Sequence, residues 1–267
     1  MSLIGIHISD INKIVEQTNK HIIFFQFFIQ DIDKNKIIKK HITNNKIYTV
    51  VHASYSINLA NSWTDNDWWI LQLINEIEFC NNIGAFAIVI HTGKQMHRSL
   101  PEALNNMYTA LLHVHEQTIM YSNVKIIIET PAGQGSELLS KIADLCNFMN
   151  KFYKHPNKKV NDRFGICVDT CHIFAAGNDI RTLKTMNIFF DTIDKLIGID
   201  KIKLCHLNDS TGKLNSKLDR HVRIGEGYIG KGPLIKIIRF LKKLMVPIIL
   251  ETNSDTINQD YILVKKS

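Results

Sequence analysis

No run of apolar residues in this chain approaches the roughly 18 needed to span a bilayer, so a membrane protein is not expected. The N-terminus, MSLIGIHISD, lacks a basic stretch ahead of an apolar core; no signal peptide is expected, and the protein is read as intracellular, cytoplasmic or nuclear. None of the five cysteines, Cys80, Cys146, Cys167, Cys171 and Cys205, forms a C-x-x-C pair. That spacing fits reduced, buried thiols of the kind the cytosol maintains. A glycine-rich phosphate loop is also missing. Ala132-Gly133-Gln134-Gly135 has glycines without the fingerprint spacing, which argues against an open doubly wound sheet. Linkers and low-complexity segments are lacking too, so residues 1–267 are read as a single domain.

The composition is that of an ordinary globular protein, with 45% hydrophobic and 21% charged residues. Lysine and arginine (32) exceed aspartate and glutamate (25) for a formal charge of +7, which suggests an anionic partner, nucleic acid first among them. The lysines are dispersed, and a solvated basic surface would account for them as well.

Eight short apolar, β-branched runs recur along the chain: 3–9, 22–28, 48–54, 86–92, 125–130, 164–170, 201–207 and 247–252. Their nearly continuous hydrophobicity predicts strands buried on both faces, as in a parallel sheet. Helical patterns lie between them. Ser99-Leu100-Pro101-Glu102 predicts a capping box with proline in the first turn, leading into Met107, Ala110, Leu111 and Val114. Thr64 to Asp67 predicts a second start, with a stop at Gly84. Ser136 precedes the stripe Leu138, Ile142, Leu145, Met149 and Phe152, and Gly232-Pro233 opens a helix carrying Leu234, Ile237, Ile238 and Leu241. Strand and helix alternating eight times in a chain near the typical ~250 residues predict an α/β (β/α)8 TIM barrel. An open doubly wound sheet is the alternative, and residues 255–267 are short for a closing helix.

Polar residues fall at the ends of these runs. His52 ends the third, His91 the fourth, Glu129 the fifth, Asp169 the sixth, His206 the seventh and Glu251 the eighth. In a barrel those ends meet on the face where barrel enzymes keep their chemistry. Buried carboxylates cost several kcal/mol unless they pair or coordinate, and a metal would remove that cost. His172 follows three residues after Asp169, while Asp219 and His221, at i and i+2, project to one side of an extended backbone. Nine imidazole and carboxylate groups exceed what one tetrahedral zinc can use, and three ions are a natural division. Cys171 and Cys205 lie beside these ligands, but the histidine and carboxylate set suffices without them.

The segments VHASYSINL (51–59), IHTG (90–93), IETPAGQG (128–135), GICVDTCHIFAAG (165–177), CHLNDS (205–210), DRHVRIGEGYIG (219–230) and ILET (249–252) resemble, in order, the motifs of the endonuclease IV family of apurinic/apyrimidinic endonucleases. The resemblance runs along essentially the whole chain from GIHIS at 5–9. It implies a trinuclear zinc site on a TIM barrel, with His52 and His91 on the first ion and Glu129 bridging to a second that Asp169, His206 and Glu251 complete. His172, Asp219 and His221 would hold the third, and Glu129, Asp169 and Glu251 would be central to catalysis. It further implies double-stranded DNA as partner, contacted by Tyr55 and Ser56, with abasic sites or blocked 3′ ends as substrate and a monomeric enzyme. His7, Asp209 and Glu226 would support the ligands or the backbone around them. The family's arginine- and glutamine-bearing loop after the second strand corresponds here to QFFIQDIDKNK (26–36), which has no arginine and two aspartates.

A phosphodiesterase of this type needs no side-chain nucleophile, and Ser54 and Ser210 have no histidine–acid partnership left free by metal binding. The competing readings are a metal-dependent sugar isomerase or epimerase on the same barrel and a zinc-stabilised DNA-binding or packaging protein. The first leaves the Asp219–His221 motif and His172 without a role, because such isomerases use fewer metals; the second leaves an intact ligand set unexplained.

Overall fold

The structure, a computed structural model, describes residues 3–10, 13–29, 35–252 and 256–267. Eight parallel strands form its sheet: β1 (Ile4–His7), β2 (Phe24–Phe28), β3 (Tyr48–His52), β4 (Ala87–Ile90), β5 (Lys125–Glu129), β6 (Phe164–Asp169), β7 (Ile202–His206) and, last in the chain, β10 (Ile248–Leu250). Their order, β1-β10-β7-β6-β5-β4-β3-β2, closes on itself as a barrel. Each of the eight predicted apolar runs contains one of these strands, trimmed by one to three residues at its ends. A two-residue antiparallel pair, β8 (Asp209–Ser210) with β9 (His221–Val222), follows β7.

The chain divides into two compact units. One comprises Met1–His7, Glu129–Lys151 and Ile166–Ser267; its core holds Ile6, Cys167, Val168, Leu204, Cys205 and Ile248 to Leu250. The other comprises Ile8–Ile128 and Phe152–Gly165, and buries Phe24, Phe25, Phe27, Val50, Val51, Ile88, Val89 and Ile126 to Ile128. Within it lies Arg163, a buried guanidinium that donates to the Tyr121 carbonyl at 2.8 Å and the Thr118 hydroxyl at 3.1 Å. All five cysteines are buried and reduced.

Helices α1 (Lys13–Asn19), α2 (Asn35–Asn44), α6 (Lys158–Asn161) and α8 (Leu183–Ile197) join those described next. Local chemistry sets the helix ends. Helix α4 (Leu100–Gln117) begins at Ser99, whose hydroxyl accepts from the Glu102 N–H, with proline in the first turn. Helix α3 (Trp68–Ile83) stops at Gly84, left-handed at φ +77°, as the glycine led us to expect. Its start differs in detail: the Asp67 carboxylate faces backward and accepts from the Thr64 amide and hydroxyl. Helix α5 (Ile142–Tyr153) starts six residues later than Ser136 suggested, because the Glu137 carboxylate accepts from the amides of Gly133 and Gln134 and holds that stretch as a loop. Helix α9 (Lys231–Lys243) buries Leu234, Ile237, Ile238 and Leu241 as expected. The chain does close on a helix, α10 (Ile257–Lys266), whose terminal carbonyls at Val264 and Lys265 accept from Lys242 Nζ. Asp255 lies outside the described residues.

Candidate metal centre

Register builds the acid-and-histidine cluster of the first unit. Asp169 at the end of β6 pairs with His206 at the end of β7, and His206 pairs with Ile249 of β10. Glu251 lies two residues beyond Ile249 and so projects to the side that Ile249 does. His206 Nδ1 stands 2.7 Å from Glu129 Oε1, 3.3 Å from Glu251 Oε2 and 4.0 Å from Asp169 Oδ2. Ligand atoms of Glu129, Asp169, His206 and Glu251 all lie within 4.8 Å of one another. Burial disfavours the His206 imidazolium, but Glu251 and Glu129 outweigh it and hold the pKa up at about 9. Burial raises the Asp169 pKa, opposed only in part by His172 and His221. The same burial acts on Glu251, but His206 and His221 prevail and keep its pKa below the usual value.

A second group turns around Asp219. The Asp169 side chain caps the short helix α7 (Thr170–Ala175) by accepting from the His172 N–H at 2.8 Å, which fixes His172 over the strand end. His172 Nδ1 lies 2.9 Å from the Thr130 carbonyl oxygen, which can only accept, so the ring proton sits on Nδ1. Its Nε2 faces Asp219 Oδ1 at 3.1 Å, and His221 Nε2 meets that same oxygen at 3.1 Å. A lone pair held against a carboxylate oxygen needs a proton or a cation between them, and two imidazole nitrogens with one carboxylate oxygen are a donor set that zinc accepts. Without a cation, protons take that place. Burial lowers the pKa of His221, but Asp169 and Asp219 carry it up to about 9. Burial would raise that of Asp219, and its hydrogen bonds with His172 and His221 hold it well below the usual carboxylate range. Cys171 Sγ also falls near Asp219 and His221, yet the thiol donates to the Arg220 carbonyl, and burial and Asp169 push its pKa up to about 12. That is the behaviour of a thiol keeping its proton.

The second unit carries its own histidine pair. His52, last in β3, pairs with Phe28 on one side and Val89 on the other. His91 lies two residues past Val89, so alternation turns it the same way, and the two rings come to 5.0 Å between centroids. The His52 Nδ1 bonds the Ala53 carbonyl oxygen at 2.9 Å, which again puts the proton on Nδ1 and the lone pair on Nε2. Tyr55 packs edge-on to His91 at 4.9 Å and tilted against Phe28 at 4.9 Å, yet its side of the ring cluster is open enough to leave the residue 67% exposed. Ser56 is exposed and holds the Ser54 hydroxyl at 2.7 Å.

The remaining expected residues fall as follows. His7 Nδ1 lies 3.8 Å from Glu251 Oε1. Asp209 is buried and accepts from the backbone amides of Ser210, Gly225, Gly227, Ile229 and Gly230, so it orients backbone. Glu226 is exposed and pairs with Arg223 at 3.1 Å, which is a loop contact. Residues 30–34 of the 26–36 stretch lie outside the described residues. Two groups escaped the reading of the sequence. Asn208 Nδ2 donates to Asp169 Oδ2 at 2.7 Å and Glu251 Oε2 at 3.2 Å, and Thr130 serves both His172 through its carbonyl and the Asp169 amide through its hydroxyl. Asn208 sits inside HLNDS beside Asp209, and nothing in that local pattern marks it.

Residues 15–265 match the family model of the xylose isomerase-like TIM barrel. A probable endonuclease 4 of Nitrosopumilus maritimus is 32% identical over 238 residues, 89% of this chain and 82% of its own. Another of that description from Mycoplasma genitalium is 36% identical over 220 residues, 82% and 71% of the two chains. Among solved structures, endonuclease IV from Thermus thermophilus superposes with a TM-score of 0.77 at 20% identity, covering 98% of this chain and 97% of that one. A D-tagatose 3-epimerase-like protein gives 0.76 at 19%, covering 100% and 95%. At those identities the structural likeness speaks for the barrel alone.

Proposed function

This chain belongs to the endonuclease IV family of xylose isomerase-like TIM barrels, and we propose that it is an apurinic/apyrimidinic endonuclease of DNA repair. It cuts the phosphodiester on the 5′ side of an abasic site in double-stranded DNA and leaves a 3′ hydroxyl and a 5′ deoxyribose phosphate. The same site trims blocked 3′ ends. The enzyme works as a monomer inside the cell, with residues 1–267 as one catalytic domain; no described helix is long and apolar enough to cross a membrane.

Three zinc ions are the cofactor of this reading. His52 and His91 would hold the first, Glu129, Asp169, His206 and Glu251 the second, and His172, Asp219 and His221 the third. Bound there, zinc supplies a lowered water pKa and positive charge for the phosphate oxygens. The protein supplies the rest. Thr130 and the Ala53 carbonyl fix the tautomers of His172 and His52, and Asn208 donates to one oxygen each of Asp169 and Glu251 and so orients both. Tyr55 offers an open ring face to the lesion, and the excess of basic residues favours the DNA backbone. Ser56 contributes a hydroxyl beside that ring.

The observation that carries this reading is the Asp219 oxygen shared by His172 Nε2 and His221 Nε2, a ligand group beyond the four residues Glu129, Asp169, His206 and Glu251 and adjoining them through Asp169. A sugar isomerase or epimerase has no use for it. The test is a duplex bearing one tetrahydrofuran abasic analogue, which cannot undergo β-elimination. Cleavage to a 3′ end that a polymerase extends, without added magnesium, is expected; an uncut analogue alongside epimerisation of a free ketose would overturn the proposal.

A further inference from the structure

We propose that Asp260 is a positioning residue for the metal centre, one carboxylate on helix α10 that ties the end of β10 to the loop bearing Asp219 and His221; the proposal rests on the zinc reading above. Its Oδ2 accepts the Thr252 hydroxyl at 3.0 Å, and Thr252 directly follows Glu251. Its Oδ1 faces Arg223 Nε at 3.6 Å, an ion pair buried at the aspartate and part-exposed at the arginine. Arg223 stands two residues past His221, and its Nη1 donates to Glu226 at 3.1 Å. All of these groups belong to the first compact unit.

Helix α10 does not need this acid in order to dock. It buries Ile257, Tyr261 and Val264, which at i, i+4 and i+7 form one apolar stripe. Asp260, at i+3, falls inside that stripe and is 1% exposed. A buried carboxylate must be paired to recover its lost hydration, and a buried pair is often no more stabilising than the apolar side chains that could replace it. What the acid adds is direction. Thr252 and Arg223 stand beside ligands of two different groups, Glu251 with His206 and His221 with Asp219. One carboxylate on a docked helix therefore fixes both groups from behind. The loop is gripped at a second point by Asp209, which accepts from Gly225 and Gly227 just beyond Arg223. Between the two acids, the backbone that carries His221 is held on either side.

The experiment follows the histidine rings of the full, zinc-loaded chain by two-bond proton–nitrogen correlation spectra during titration with a zinc chelator, so that each ring reports when its own ion leaves. Asp260→Asn can still accept the Thr252 hydroxyl but loses the charge facing Arg223. His172 and His221 should then release zinc at about ten-fold lower chelator than in the parent, with His206 and His52 at the parental value. Thr252→Val cuts the other tie alone, and His206 should become the ring that releases early, again by about ten-fold. A residue that merely stabilised the fold would loosen every ring together. Uniform loosening, or parental release in both variants, would overturn the proposal. If Asp260→Asn does not fold, Arg223→Gln takes its place with the same expectation, and parental release there overturns it. The zinc-free protein gives a second readout in the Thr211 amide, which donates to the Arg220 carbonyl at 3.0 Å. Its hydrogen exchange should quicken about ten-fold in Asp260→Asn and stay parental in Thr252→Val. Should the parent bind no zinc, the zinc reading fails, while parental exchange at Thr211 in Asp260→Asn would by itself overturn the tie.

Discussion

Asp209→Ala removes an acceptor for five backbone amides at once, and its consequence can be worked from their surroundings. Asp209 Oδ1 accepts from Ser210 and Ile229 at 2.9 Å each, and Oδ2 from Gly225 at 2.9 Å and Gly227 at 3.2 Å, while Gly230 reaches both oxygens. Gly225 is exposed and Gly227 and Gly230 are half-buried, so water can replace the lost oxygen there. Ser210 and Ile229 are buried, and each donor left unsatisfied costs about 1–3 kcal/mol. The expected loss is therefore about 2–6 kcal/mol, large for a single substitution. Asp209→Asn keeps one acceptor oxygen and should lose about half as much. The damage is directed at the site, because Asp209 pairs with Val222 and Ser210 with His221 across β8 and β9, so the loosened loop carries Asp219 and His221. Urea denaturation should show a lower midpoint at unchanged slope, and zinc analysis should show one ion lost first. An unfolding free energy within about 1 kcal/mol of the parent would refute the reasoning, since it would mean that water satisfies even the buried donors.

The sequence announced its strands because parallel strands covered on both faces are apolar throughout, and Val50, Val51, Ile88, Val89 and Ile126 to Ile128 are all buried. It set the candidate site residues apart for the opposite reason: a histidine or acid closing an apolar run has few structural uses. What it hid depends on distances that no local pattern encodes. Asn208 bonds to residues 39 and 43 positions away, and an amide is not a ligand type, so its place between Asp169 and Glu251 emerges only from the register of β6, β7 and β10. Asp260 reads as one more acid in a helix, and its inward turn follows from the phase set by Ile257, Tyr261 and Val264. The late start of α5 was masked by a continuous apolar stripe; Leu138 is buried yet precedes the helix, in a loop where Leu139 sits at φ +65°. Periodicity counts buried residues and does not ask where the amides of Gly133 and Gln134 find an acceptor.

Glu129→Gln should reduce cleavage of an abasic duplex by about 10²–10³-fold or more while leaving lesion binding near the parental value, because the charge acts on the transition state; equal loss of binding and rate in gel-shift and single-turnover assays would count against it. Tyr55→Ala exposes the His52–His91 pair and removes the open ring, so discrimination of abasic from intact duplex should fall about ten-fold; unchanged discrimination would leave Tyr55 a packing residue. The pH response of the chelated protein follows from His206 and His221, both held at about 9 by neighbouring carboxylates. Their folded pKa values lie above the unfolded value of about 6.5, so their stabilising contribution is fully present below about pH 6.5 and is lost as pH rises through about 9. Zinc competes with those protons, so its apparent affinity should climb with pH and level off near 9, with protons released on binding below that point. Thermal unfolding of chelated and zinc-loaded protein between pH 6 and 10 separates the two effects: the chelated melting temperature should fall across pH 6.5–9 and the loaded one should not. A chelated protein whose melting temperature stays level or rises over that range would show that the imidazoles are not held protonated by Glu129, Glu251, Asp169 and Asp219, and that the cluster lacks the field a cation would need.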